Sequence, residues 1–79
     1  MTAPNTTLLD LQLGERAVIT EIDGNDAIAA RLLEMGLLPG EMTERIGSAP
    51  MGDPIEFSVV GYRLSLRKAE CARVRIEKV

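Results

Sequence analysis

The segment from Arg31 to Gly40 constrains this chain more than any other, because it specifies where a helix ends and a strand begins. Gly36 follows an amphipathic stretch and suits the left-handed conformation that ends many helices. Pro39 and Gly40 fit the second and third positions of a type II turn, since proline fixes φ and glycine accepts a positive φ. We therefore expect a helix that stops at Gly36 and a strand that starts directly after Gly40.

Chain length and composition exclude several classes of protein. A chain of 79 residues predicts a single domain of low stability, because it buries only about 60% of the surface that its unfolded form exposes. It contains one cysteine and no histidine, which excludes an internal disulfide and a histidine-based catalytic triad. The sequence has no apolar run long enough to span a membrane and no signal-peptide pattern, so we expect a soluble cytoplasmic protein without membrane insertion.

The residues before Gly36 predict one amphipathic helix, over about residues 26–35. Asn25 or Asp26 is suited to cap its first turn. The spacing of Ile28, Leu32 and Met35 places these side chains on one helical face. Leu32 and Leu33 are adjacent and cannot point the same way, so one of them is expected at the margin of the core.

Five segments rich in β-branched or alternating apolar residues predict short strands. The first covers residues 15–22, the second follows Gly40, and a loop over residues 47–54 precedes the third. Period-two alternation predicts that the last three strands bury the following sets: Ile55, Phe57 and Val59; Tyr62, Leu64 and Leu66; Ala72, Val74 and Ile76.

These elements predict a mainly β fold: a small, SH3-like, five-stranded antiparallel barrel with one inserted helix. A sheet that closes on itself removes its own edges, which suits so short a chain. We expect residues 1–7 to be flexible and residues 8–79 to form the single domain.

Charge is unevenly distributed along the sequence. Residues 1–62 carry three basic and ten acidic side chains, whereas residues 63–79 carry six basic and two acidic ones. This asymmetry either steers a partner or reflects solvated strand faces. Nucleic acid is a poor fit, because the overall charge is acidic and only Phe57 and Tyr62 are aromatic.

The sequence offers little for catalysis or strong metal binding. No serine lies in a nucleophile elbow, and no phosphate-binding Gly-Lys-Ser/Thr motif is present. Pairs of acids such as Asp23 with Asp26, or Glu41 with Glu44, are candidate weak metal ligands, although solvation of the surface explains them more simply. Cys71 is either a reactive thiol or a space-filling core residue. We therefore expect no enzyme activity and no cofactor.

Several ordered motifs resemble the FeoA family of small cytoplasmic accessory proteins in bacterial ferrous iron uptake. They cover residues 8–78. The motifs are Leu11-x-x-Gly14-Glu15, Arg31-Leu32-x-x-Met35-Gly36-Leu37-x-Pro39-Gly40, Ala49-Pro50-x-Gly52-Asp53-Pro54 and Gly61-x-x-Leu64-x-Leu66-Arg67-x-x-Glu70-x-Ala72. The resemblance implies an SH3-like fold and a role beside FeoB, a membrane ferrous iron transporter with a cytoplasmic GTP-binding domain. It implies no catalytic residue.

The candidate partner-binding residues are Leu32, Leu38, Pro50 and Met51, which we expect to form one apolar patch on the helix and loops. Two other functions stay open from the sequence. One is a metal-responsive regulator or iron sensor, and the other is a GTPase activator that donates Arg31, Arg45 or Arg63 to its partner. A proline-peptide-binding module is less suited, because only two aromatic side chains are available to line its groove.

Overall fold

The computed structural model describes residues 6–79 of the chain. It contains one 3₁₀ turn, two helices and five strands, and no described helix is long and apolar enough to cross a membrane. In chain order these elements are the 3₁₀ turn Leu8–Asp10, β1 (Arg16–Ile22), α1 (Ala27–Glu34), β2 (Met42–Ser48), β3 (Ile55–Val59), β4 (Tyr62–Leu66), α2 (Lys68–Cys71) and β5 (Val74–Lys78). This order confirms the predicted mainly β fold with one helix inserted after the first strand.

The five strands form one antiparallel sheet in the order β4-β3-β2-β1-β5. Among the described strands β4 and β5 do not pair with each other, because the chain passes between them through α2. The barrel is therefore only partly closed, and the expectation that closure removes the sheet edges is not met between β4 and β5. Residues near the N-terminus cover the outer edge of β5: Thr7 bridges Arg75, and the Ile76 amide donates to the Thr6 carbonyl at 3.0 Å.

Those contacts also bear on the predicted flexible N-terminus. Residues 1–5 lie outside the described part of the chain. Thr6 and Thr7 instead lie against β5, and Thr7 caps the 3₁₀ turn by accepting from the Leu9 amide at 3.2 Å. The ordered domain therefore begins before Leu8.

The exit of α1 confirms the prediction from the Arg31–Gly40 segment. Gly36 adopts φ of 100°, and the amides of Gly36 and Leu37 donate to the carbonyls of Leu33 and Leu32. This pair of bonds is a Schellman motif. Gly40 adopts φ of 93°, and the Glu41 amide donates to the Leu38 carbonyl at 3.0 Å, as a type II turn requires.

The core lies between the concave side of the sheet and α1, and it corrects three predicted inward positions. Leu32 and Leu66 are fully buried, whereas Tyr62, Ile28 and Ala72 are exposed. Tyr62 starts the edge strand, which has no strand on its outer side, and Ile28 lies in the first turn of α1. Ala72 is the C-cap residue of α2 and does not start β5. The buried residues are Leu8, Leu11, Ala17, Ile19, Ala29, Leu32, Leu37, Thr43, Ile55, Phe57, Val59, Leu66, Cys71, Val74 and Ile76.

Much of the basic C-terminal segment is neutralised inside the fold. Arg73 makes two bonds of 2.6 and 2.9 Å to Asp26, and Arg75 donates to Asp23 at 2.8 Å. Lys78 lies 3.3 Å from Glu15. These pairs join residues 73–78 to residues 15–26, so this half of the charge asymmetry holds the fold together.

Asp26 gives a prediction about pH. It caps α1 by accepting from the Ala29 amide at 3.1 Å, and its bonds to Arg73 and Ala29 lower its pKa from 3.8 to about 2. Because the pKa is lower in the folded state, the charge stabilises the fold above pH 4, and this contribution is lost as pH falls toward 2. Asp26→Asn keeps a capping oxygen, so we expect it to lower the melting temperature at pH 7 but to match the wild type near pH 2. Thermal unfolding across this pH range measures the effect. A difference in melting temperature between the two proteins that stayed constant with pH would contradict it.

Candidate interaction surface

The structure does not bring the four predicted partner-binding residues together. Leu32 is 0% exposed, because it lies on the face of α1 that packs into the core. Its place in the predicted patch is therefore wrong. Leu38, Pro50 and Met51 are exposed, but Leu38 precedes β2 whereas Pro50 and Met51 follow it. A seven-residue strand spans on the order of 20 Å, so these exposed residues fall into two regions.

Four exposed apolar residues lie near the turn between β3 and β4, and we call them the hairpin-end patch. They are Leu38, Met42, Val60 and Tyr62. Thr43 pairs with Val59, which places Met42 across from Val60. A β-carbon at Gly36, two residues before Leu38, would lie 3.9 Å from Val60 Cγ2. Strand pairing and the helix exit therefore gather these side chains at one end of the barrel.

Val60 holds an unusual backbone conformation within this patch. Val59 pairs with Tyr62, so Val60 and Gly61 form a two-residue hairpin turn, with φ of 51° and 79°. Two positive φ values define a type I′ turn, whose first position favours Asn, Asp or Gly. A β-branched residue is disfavoured there by about 1–2 kcal/mol. The Val60 side chain is nevertheless 54% exposed, so little burial offsets that cost.

We therefore expect Val60→Asn to stabilise the domain by about 0.5–1 kcal/mol, because asparagine tolerates the left-handed region. Val60→Ala is the matched control: it shortens the side chain without that preference. Chemical denaturation of the three proteins measures the difference. A Val60→Asn variant less stable than Val60→Ala would show that the valine contacts, rather than the backbone, govern this position.

The sequence interpretation did not identify Val60, Met42 and Tyr62 as parts of one surface. Alternation assigned Tyr62 to the core, whereas it is exposed. The signal that identifies the turn is a Val-Gly pair between two alternating strands, with a branched apolar residue where a hairpin usually carries a polar one.

The candidate metal ligands are mostly engaged elsewhere or dispersed. Asp26 binds Arg73 and Asp23 binds Arg75, and Glu41 and Glu44 line a shallow concavity that also contains Arg16. Between residues 6 and 79, the structure shows no cluster of three or more aspartate, glutamate or cysteine side chains that are placed to hold a metal ion.

The three candidate arginines differ in their surroundings. Arg31 forms an ion pair with Glu70, and Arg45 donates to the Leu11 carbonyl at 2.9 Å. Arg63 lies on β4 and is exposed. Only Arg63 of these three is both exposed and without an ion-pair partner among the described residues.

Cys71 is the last residue of α2 and is fully buried. Burial is the main reason that the pKa of its thiol is raised to about 11. At pH 8 only about one thiol in a thousand is therefore ionised in the folded state. This favours the space-filling interpretation over the reactive one.

We expect alkylation of Cys71 at pH 8 to be more than about a hundredfold slower in the folded protein than in denaturant, because the thiolate is the reactive form. Mass spectrometry of iodoacetamide-treated samples measures both rates. A folded-state rate near that of the denatured protein would contradict the burial of this thiol.

The fold and its surface define a small SH3-like domain whose exposed features are an apolar patch and unpaired basic side chains. Residues 6–78 match the FeoA domain, so the chain belongs to the FeoA family. This confirms the resemblance seen in the sequence, and the FeoA family is linked to ferrous iron transport. The FeoA family is not a known enzyme family.

Three known proteins are similar to the chain in sequence or in structure. It is 32% identical over 72 residues to the Fe(2+) transport protein A/Fe(2+) transporter FeoB fusion protein of Porphyromonas gingivalis, covering 91% of this chain but 8% of that one. It resembles iron(II) transport protein A of Clostridium thermocellum with a TM-score of 0.88 and 32% identity, covering 94% of this chain and 46% of that one. Stenotrophomonas maltophilia FeoA, solved with zinc and described as a prokaryotic SH3 domain protein, gives a TM-score of 0.80 and 36% identity over 91% of this chain and 89% of that one.

Proposed function

We propose that this protein is a cytoplasmic, non-enzymatic adaptor that binds the GTP-binding domain of a FeoB-type transporter and supports ferrous iron transport. The single observation that carries this proposal is the fused relative, in which a homologous domain and a FeoB transporter form one chain. Fusion keeps two proteins at a high local concentration, which is useful when they work by contact.

The hairpin-end patch is the docking surface that we favour for this contact. Clustered apolar side chains at a strained, exposed turn are costly in an isolated domain, and burial against a partner recovers that cost. Leu38 belongs to both this patch and the set predicted from the sequence. Pro50 and Met51 remain a second proposed contact beyond the other end of β2, where Met51 is 91% exposed.

Titration of the cognate GTP-binding domain tests the proposal, with the full-length transporter in detergent or nanodiscs as a second titrant. We expect association with a dissociation constant on the order of micromolar, as is typical of small transient interfaces. Each titration is run without nucleotide, with GDP and with a non-hydrolysable GTP analogue. Absence of binding under all of these conditions would overturn the proposal.

Anaerobic calorimetry with ferrous ion separates this function from iron sensing. The adaptor proposal expects no tight binding, because the described carboxylates are paired or dispersed. A micromolar or tighter ferrous site in the isolated protein would favour the sensor instead.

A further inference from the structure

The strand β4 leaves one backbone edge of the sheet open. β4 lies at the end of the strand order and pairs only with β3, whereas Thr6 and Thr7 cover the other end at β5. An open edge presents unpaired N–H and C=O groups to which another chain can add as a strand.

Strand register shows which backbone groups are available. In a two-residue hairpin, the residues that flank the turn exchange hydrogen bonds, and such pairs then alternate with non-bonded ones. Val59 pairs with Tyr62, so Leu64 and Leu66 also bond to β3. The N–H and C=O groups of Arg63 and Ser65 consequently point away from β3, toward the open edge.

A groove of about 460 Å³ lies beside this edge, between β4 and α1. Ser65 and Arg67 line one side, Arg31 and Met35 line the other, and Pro54 and Glu70 complete it. Just beyond the end of α1, a β-carbon at Gly36 would lie 3.9 Å from Val60 of the hairpin turn. The groove and the hairpin-end patch therefore both adjoin the C-terminal end of α1.

Charge indicates what kind of segment this edge accepts. Arg63 and Ser65 lie on β4, and Arg67 follows the strand at the next every-second position. Within residues 6–79 neither guanidinium has an acidic partner. Glu56, which pairs with Ser65 across the strands, turns its carboxylate away, so that Oε1 lies 3.1 Å from the position of a β-carbon on Gly47. The unpaired basic charge of the C-terminal segment is thus concentrated at this edge.

The same charges oppose pairing between two copies of the protein. Two β4 edges side by side would bring four unpaired arginines together, and like charges on adjacent strands are destabilising. An acidic partner segment instead gains from them, since opposite charges on neighbouring strands are stabilising.

We propose that β4 binds an extended, acidic segment of the transporter as a sixth strand, hydrogen-bonded to the backbone of Arg63 and Ser65, with carboxylates opposite Arg63 and Arg67. This inference rests on the proposed function, because it takes the FeoB-type transporter as the partner. It adds the mode of binding. Main-chain hydrogen bonds along the edge hold the segment, and the charges of Arg63 and Arg67 attract its carboxylates.

A proline substitution at Ser65 tests the main-chain contact. Ser65→Pro removes the outward N–H of an edge strand without removing a bond to β3, and edge strands tolerate proline at such positions. Ser65→Ala is the matched control that keeps the N–H. We expect Ser65→Pro to weaken transporter binding about tenfold or more, because it removes one main-chain hydrogen bond to the added strand and disturbs the fit of that strand. We expect Ser65→Ala to change the affinity less than about twofold, because the N–H is kept.

Amide hydrogen exchange of the unsubstituted protein gives a second measurement that does not depend on how Ser65→Pro folds. The Arg63 and Ser65 amides should exchange fast in the free protein and slow about tenfold or more in the complex. The Leu64 amide, already bonded to β3, is the internal reference.

Charge substitutions test the contribution of the two arginines. Reversal by Arg63→Glu with Arg67→Glu should weaken binding, whereas Arg63→Lys with Arg67→Lys keeps the positive charge and should largely keep the affinity.

The outcomes separate this inference from the proposed function. Absence of any binding by the wild type overturns the function and the inference together. The proposed sixth strand alone is overturned if the wild type binds normally, the Arg63 and Ser65 amides exchange at unchanged rates in the complex, and Ser65→Pro keeps full affinity. Concentration-dependent dimers that Ser65→Pro abolishes, with transporter binding unaffected, would assign the edge to a second copy and would also overturn it.

Discussion

Leu32→Ala is expected to destabilise the domain by about 2–5 kcal/mol, because it leaves a cavity where a fully buried side chain packs. A domain of this size has a free energy of unfolding of only about 4–12 kcal/mol. The variant should therefore lose a large fraction of the domain's stability, and its denaturation midpoint should fall well below that of the wild type. Chemical denaturation followed by circular dichroism measures the loss.

Leu33→Ala is the matched control, since the adjacent leucine on the same helix is 39% exposed. Its truncation should cost less than about 1 kcal/mol. Equal losses for the two variants, or a fully stable Leu32→Ala, would show that α1 does not bury Leu32. Any binding defect of Leu32→Ala is expected to follow its loss of fold, which is how a core role differs from a contact role.

Val60→Asp should weaken binding to the transporter by about tenfold or more, because it places a charge at the centre of the hairpin-end patch. Aspartate tolerates the left-handed turn position better than valine does. The variant is thus expected to remain folded, so that its loss of affinity reports on the surface. Titration with the same GTP-binding domain measures the change.

Met51→Asp is the comparison for the other proposed contact. It adds the same charge to an exposed side chain beyond the far end of β2. We expect a smaller effect from it than from Val60→Asp. Unchanged affinity of Val60→Asp would exclude the hairpin-end patch, and a selective loss in Met51→Asp would move docking to the β2–β3 loop.

The sequence predicted those parts of the fold that local chemistry determines. Gly36 and Gly40 need positive φ, and their neighbours supply matching cap and turn residues, so the helix exit followed from a few adjacent positions. Asp26 was one of two predicted caps for the same reason. The division between Leu32 and Leu33 also followed the prediction, with the first buried and the second exposed.

Features that depend on distant segments were harder to predict. Thr43 is buried although it is polar, because its hydroxyl donates to the Ser58 carbonyl of β3 at 3.2 Å, and apolar alternation cannot identify such a residue. Tyr62 obeys the alternation and is still 68% exposed, because its strand has no neighbour on one side.

The same limitation explains the error in the predicted patch. Leucines 32 and 38 look equivalent in the sequence, but packing of α1 on the sheet buries one and leaves the other at the surface. The open edge of β4 depends on strand order, which hydrophobic periodicity does not encode. A surface built from several segments therefore becomes visible only when the sheet is assembled.

Ferrous iron uptake by living cells tests the central claim most directly. Cells that keep the transporter but lack this protein should take up radiolabelled ferrous iron more slowly, and the wild-type protein should restore the rate, whereas a folded Val60→Asp variant at equal abundance should not. Uptake that is unaffected by loss of the protein, or fully restored by a variant that no longer binds the transporter, would contradict an adaptor that acts by contact.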